Sequence, residues 1–197
     1  MSGALPSSPA ISQVSVSSIA PTRVSVTHSL RRVARASGAQ RWAFALQWPV
    51  MTRAEFAPIW AFATAQEGQA QTFTFTLPSH AIQGAGGGTP LVAGAAQSGT
   101  SLNTDGWPLS TLVLKAGDFW RPNASTKVYM MTADATSDGA GAATLNFFPA
   151  LIETPGDGEA IVTSGPVFTV AAASDIVQIQ TGPGAHYAYS WNLVEAP

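Results

Sequence analysis

The alternation Trp42-Ala43-Phe44-Ala45-Leu46-Gln47-Trp48 constrains the fold more than any other stretch. A period of two sends Trp42, Phe44, Leu46 and Trp48 to one side of an extended chain and Ala43, Ala45 and Gln47 to the other, which predicts a strand buried on one face. Pro49 stops ladder pairing, and Met51-Thr52-Arg53-Ala54-Glu55-Phe56 supplies a full helix start. Thr52 serves as N-cap, Glu55 reaches back to the Thr52 N–H, and Met51 packs on Phe56. Phe56, Ile59, Trp60 and Ala63 then form an apolar stripe at spacings of three and four, with Gly68 expected at the left-handed C′ position. Pro58 removes one intrahelical bond. Thr72-Phe73-Thr74-Phe75-Thr76-Leu77 follows, its Phe73, Phe75 and Leu77 facing one way and its threonines the other. The unit reads strand, helix, strand, and the rest of the chain reads as strands and loops.

A chain of 197 residues buries about 70% of its unfolded surface, enough for one domain or two small ones. Charged residues make up only 10% of it, far below the common quarter. Two readings of that shortage stand: permanent assembly, or a neutral surface of Ala, Thr and Ser. The few charges are unevenly spread. Arg23, Arg31, Arg32, Arg35, Arg41 and Arg53 occupy residues 1–54 without a single acid, and all eleven acids follow with only Lys115, Arg121 and Lys127. A bipolar subunit of this kind can stack head to tail. Sequence-specific nucleic-acid recognition is not expected, because no aromatic residues interleave the arginines as a base-stacking surface requires. The absence of cysteine excludes disulfides and thiolate metal sites. No apolar run approaches membrane-spanning length and no basic-then-apolar leader opens the chain, so a soluble protein made in a cytosol is expected, with no membrane partner.

Residues 1–13 are small and broken by proline, and read as an extended or disordered arm. Val14 to Ser17 alternates weakly, and Val24, Val26, His28 and Leu30 alternate better with Ser25, Thr27 and Ser29. Between Gly84 and Gly106 seven glycines fall in 23 residues, which reads as a long loop or linker. Beyond it short strands are predicted over 109–114, 126–135, 143–148, 160–163 and 167–170, a spacing that suggests a small closed barrel of the oligonucleotide/oligosaccharide-binding (OB) type. A polar break at Ala173-Ser174-Asp175 precedes 176–180. Tyr187, Tyr189, Trp191 and Leu193 then alternate in a last aromatic strand. Its one-faced character matches that of 42–48, so the two are expected to share a sheet. The middle of the chain is then an insertion: a core domain over 1–83 plus 174–197, and an inserted OB-like barrel over 84–173. The fold class is mainly β with one principal α-helix.

Signals for chemistry are weak. Gly84-Ala85-Gly86-Gly87-Gly88 lacks the Gly-Lys-Ser/Thr of a phosphate loop. Asp134-Ala135-Thr136-Ser137-Asp138-Gly139 begins like a calcium loop, but Leu145 stands where a bidentate Glu is needed, so a hairpin turn is the better reading. His28, His80 and His186 are scattered, and Asp118, Glu153, Asp157 and Glu159 sit in turns where solvated carboxylates are the default. No catalytic residue, metal ligand or cofactor is expected. Trp107 and Trp120 are the candidate ligand-stacking residues, able either to stack on a sugar ring or to close a barrel end.

Several stretches together resemble the distal tail protein of long, non-contractile-tailed bacteriophages. They are the aromatic strand with Pro-Val-Met-Thr-Arg-Ala-Glu-Phe-Ala-Pro at 49–58, the helix to Gly68, and the Thr/Phe strand at 72–77. Leu114-Lys115-Ala116-Gly117-Asp118-Phe119, the run from Lys127-Val128-Tyr129 through Asp138-Gly139 to Leu145 and Pro149, and Tyr189-Ser190-Trp191 extend the likeness across 40–195. The resemblance implies a tail-tube-like β-sandwich core, an inserted OB-like barrel, and a hexameric ring joining tail tube to tail tip. The implied partners are further copies of the chain, the tail tube protein and the tail-tip hub or baseplate proteins, with DNA passing through the lumen. The implied location is the virion tail tip, after assembly in the host cytoplasm. Rival expectations are a carbohydrate-binding tail-tip module, another minor tail or baseplate protein, and a cell-wall hydrolase, the last disfavoured by the missing chemistry.

Overall fold

The computed structural model describes residues 3–182, 184 and 186–197. The chain divides into two compact units, 1–78 with 169–196, and 79–168 with Pro197. It is mainly β, with one helix. In chain order the first unit contributes β1 (Gln13–Ile19), β2 (Thr22–Val26), β3 (Arg32–Ala36), β4 (Arg41–Gln47), α1 (Arg53–Ala65) and β5 (Phe73–Thr76). There follow β6 (Leu91–Val92), β7 (Ser101–Asp105), β8 (Leu112–Leu114), β9 (Phe119–Pro122), β10 (Tyr129–Met131), β11 (Ala135–Thr136), β12 (Ala143–Phe148) and β13 (Ile161–Val162). The chain ends with β14 (Val167–Ala172), β15 (Gln180–Gly182), β16 (His186–Ala188) and β17 (Ser190–Glu195).

The first unit is organised on a five-stranded sheet in the order β1-β4-β17-β14-β5. As the shared aromatic pattern predicts, β17 pairs with β4, antiparallel, setting Trp191 opposite Leu46 and Leu193 opposite Phe44. Residues directly opposite lie on one face, so Phe44, Leu46, Trp191 and Leu193 build a single apolar surface. Helix α1 covers it with Phe56, Ile59 and Ala63, all buried. Phe62 extends the expected stripe, meeting Phe73 edge-on at 5.2 Å, while Phe73 stacks on Trp191 at 5.2 Å. Each such ring, fully buried, contributes about 2 kcal/mol.

The helix starts where the sequence predicts. The capping box of Thr52 and Glu55 is formed, with Glu55 Oε2 accepting from the Thr52 N–H at 2.9 Å and from its hydroxyl at 2.8 Å. The end differs by one residue: Gln66 is the C-cap, Glu67 takes the left-handed C′ position at φ 53°, and Gly68 follows at φ 67°. Gly68 answers a tertiary demand, because a Cβ there would stand 2.9 Å from Asp175 Oδ1. That carboxylate accepts from the backbone and side-chain N–H groups of Gln69 at 3.3 and 3.1 Å.

At the ends of this unit the arm takes the extended one of its two expected forms, and two other readings need correction. The arm is extended and tied down, with Ala4 bridged to Thr74 of β5 and the Leu5 N–H donating to the Thr74 carbonyl at 3.0 Å. The alternation from Val24 to Leu30 is two elements, because the chain turns at Thr27, whose N–H donates to the Arg31 carbonyl at 3.0 Å, and returns as β3. Residues 176–179 are irregular, and the strand begins only at Gln180.

The second unit holds a six-stranded sheet in the order β13-β9-β10-β12-β7-β6. Its ends come back together: Leu91 is bridged to Ala160, and the Ile161 N–H donates to the Pro90 carbonyl at 2.9 Å. The sheet is a nearly closed small barrel around Leu102, Trp120, Tyr129, Met131, Leu145 and Phe147. The glycine-rich stretch is not a linker, since it carries β6 and β7. Its glycines let backbones touch: a Cβ on Gly84 would lie 2.2 Å from the Val113 carbonyl oxygen, and one on Gly88 2.2 Å from that of Gly106. Strand β9 was not foreseen, the predicted strand over 126–135 is split into β10 and β11, and β14 joins the five-stranded sheet instead of the barrel.

Asp118 also departs from expectation. It is 1% exposed, and its carboxylate accepts from the backbone N–H groups of Gln83 at 2.8 Å, Gly84 at 3.1 Å and Lys115 at 2.9 Å. A buried carboxylate persists only with such partners, and this one ties the 83–84 segment to the turn before β9.

Candidate binding surfaces

Strand β7 alternates out and in, so Thr104 points into the second unit. Its hydroxyl accepts from the Trp107 indole N–H at 2.7 Å and donates to the Ala143 carbonyl at 2.7 Å. That chain of bonds holds Trp107 inside, 3% exposed. Trp120, on β9, is wholly buried. Tyr129 stacks on it at 5.3 Å and Phe147 meets it edge-on at 4.9 Å. Both candidate stacking residues therefore belong to one core cluster, and neither presents a ring face to solvent. The Trp120 indole N–H has no hydrogen-bond partner among the described residues.

A cleft of about 470 Å³ on the second unit is lined by Asn103, Thr136, Asp134, Asp138 and Thr144 among others. Its two carboxylates are occupied by the protein's own backbone. Asp134 accepts from the Ala116 N–H at 2.9 Å. Asp138 accepts from those of Ala140 at 2.8 Å and Ala142 at 2.9 Å. The Ala142 and Ala140 N–H groups hold the Asp138 carboxyl below the usual carboxylate range, as donors to the charged form do. The segment is the turn leading into β12, and no cluster of three or more metal-binding side chains exists among the described residues. His28 lies exposed in a turn, His80 packs against Phe119 at 5.0 Å, and His186 is exposed on β16.

On the first unit, a groove of about 500 Å³ is lined only by uncharged residues, including Gln47, Gln178, Gln180, Ser190 and Asn192. Gln47, Ser190 and Asn192 belong to the side of the sheet opposite α1, because they are in register with one another and with Ala45. The remaining charged feature is the β2–β3 hairpin. All ten of its strand residues are exposed, and it carries four of the six arginines that the sequence sets apart.

Residues 79–165, nearly the whole second unit, match the family model described as distal tail protein pb9, B domain. The second unit is thus similar to the B domain of a phage distal tail protein. The match begins at Ser79 and so takes in the glycine-rich stretch with β6 and β7, and it runs through Asp118, Trp120 and the Asp138 turn. A search of curated proteins finds no significant match to the chain. No helix among the described residues is long and apolar enough to cross a membrane. The second unit has Trp107 and Trp120 in its core, while the first unit supplies the exposed arginines of the hairpin. The sequence had signalled those arginines through their separation from every acid, but not their convergence on a ribbon exposed on both faces.

Proposed function

We propose that this chain is a non-enzymatic structural protein forming a homo-hexameric ring at the distal end of a phage tail, joining the tail tube to the tail-tip hub or baseplate. The observation that carries the proposal is the B-domain match over 79–165. In this reading the first unit is the tail-tube-like ring-forming core and 79–168 the inserted barrel. The five-stranded sheet is covered by α1 on one face, and β1 leaves a strand edge for a neighbour. Exposed edges must be covered, and a cyclic arrangement covers them on every subunit at once. The neutral side of the sheet, with Ala43, Ala45, Ser190 and Asn192 in register, suits the wall of a passage through which DNA slides without sticking. Immunogold labelling of virions with an antibody to this chain tests the proposal. Label at the tail end remote from the capsid is expected; label along the tube, or none on the virion, contradicts it.

A further inference from the structure

The β2–β3 hairpin is a ribbon that nothing on its own chain explains. Its shape is well specified: the Ser37 N–H and hydroxyl both donate to the Pro21 carbonyl, at 3.1 and 2.9 Å, and close its base. At its tip the Leu30 N–H donates to the Thr27 carbonyl at 2.9 Å. Yet a two-stranded ribbon packed on nothing is marginal in water. Its register adds a penalty, because Arg23 stands directly opposite Arg35, and like charges in that position repel. The same register sorts the ribbon into two unlike faces. Thr22 with Ala36, Val24 with Ala34 and Val26 with Arg32 form one, small and apolar except for Arg32; Arg23 with Arg35 and Ser25 with Val33 form the other. Val24, Val26 and Val33 are about half exposed, and Leu30 at the tip is 84% exposed.

The face that carries Arg23 and Arg35 beside Ser25 and Val33 fits a partner offering carboxylates. The chain itself supplies exposed carboxylates: every acid lies beyond residue 54, eleven of them against three cations, and Asp105 and Glu153 are exposed. We infer that the hairpin docks on the acidic part of a second copy of this chain, with the guanidinium groups of Arg23 and Arg35 meeting the neighbour's carboxylates. Bidentate guanidinium–carboxylate pairs relieve the Arg23–Arg35 repulsion, and Val33, on the same face, is covered in the same contact. This names the partner surface for the ring proposed above and rests on that reading.

The test uses the full chain. Arg23→Glu with Arg35→Glu alters a ribbon exposed on both faces, so circular dichroism and the thermal melt stay as in the unaltered chain. Self-association in sedimentation velocity at low salt is expected to weaken by ~10-fold or more, because opposed charges become like charges. Arg23→Lys with Arg35→Lys keeps most of it. A photo-crosslinking side chain at position 25, in a mixture of isotope-labelled and unlabelled copies, is expected to join two different copies, landing between residues 55 and 197. Unchanged association of the reversed pair, cross-links confined to one copy or captured by DNA, or an unaltered chain that stays monomeric at every concentration would each overturn the docking. The virion labelling decides the ring location separately, so the two failures are told apart.

Discussion

In the first unit Trp42, Phe44, Leu46, Trp191 and Leu193 come from long regular strands and share one face under a single helix, whereas in the second Trp107, Trp120, Tyr129 and Phe147 are enclosed by short strands from every side. The first arrangement needs little more than alternation. Its consequence is a sheet with β1 at its edge, a neutral far side and an exposed ribbon, the features on which the proposed ring rests. The second completes itself. Its turns are held by side chains that return to the backbone, such as Asp118 on Gln83, Gly84 and Lys115, and by glycines where two backbones meet.

The largest effect expected from this contrast concerns autonomy. A fragment of residues 79–168 folds alone, with β-type circular dichroism and a cooperative melt. A fragment of 106–173 loses β6 and β7 and shows neither. If the shorter piece melts cooperatively, the barrel does not depend on the glycine-rich strands.

Next is Asp118→Ala. Removing the carboxylate strands three part-buried N–H groups, a loss of about 3 kcal/mol in the second unit. Denaturation followed by near-ultraviolet circular dichroism of the full chain checks it, and a change below about 1 kcal/mol would mean that the latch is dispensable.

Legibility in the sequence follows the same division. The strand at 42–48, the helix start at Thr52, the Phe73–Phe75 strand and the pairing of the last aromatic strand with the first were all readable, because regular periodicity under one helix writes itself into residue order. In the second unit β12 was readable, being six residues of clean alternation. Strand β13 lies inside the stretch predicted at 160–163 and β10 inside that at 126–135, whereas β6 is two residues long, too short for any period to appear, and Gly84 and Gly88 looked like linker residues because their role is a contact distant in sequence. Trp107 and Trp120 were identifiable as a pair worth naming, but ring exposure depends on tertiary packing. Asp118 sat in a turn by pattern and in the interior by fold.

Smaller effects sharpen the first unit. Thr52→Ala is expected to cost about 1 kcal/mol by loss of the helix cap, measured as a shift in the denaturation midpoint. Coincident midpoints would mean that the cap contributes nothing. Smallest is a pH effect. The Glu55 carboxyl is held low chiefly by the Thr52 N–H, with the Thr52 hydroxyl second, and Asp138 by its turn N–H groups. Groups whose folded pKa is depressed add stability above the unfolded carboxylate pKa and lose it as pH falls through the folded one. Midpoints should therefore decline on acidification below the ordinary carboxylate range, less steeply in Glu55→Gln and Asp138→Asn than in the unaltered chain. Parallel acid profiles would remove these two groups from the account.

The central claim, that the first unit closes a ring which the barrel decorates, is tested most directly by an electron-microscopy map of the tail tip from intact virions. Six copies of this chain are expected around the tail axis, with the five-stranded sheets forming a continuous wall and the neutral side of β4 and β17 toward the passage. A tail-tip map with no six-fold density for this chain would contradict it.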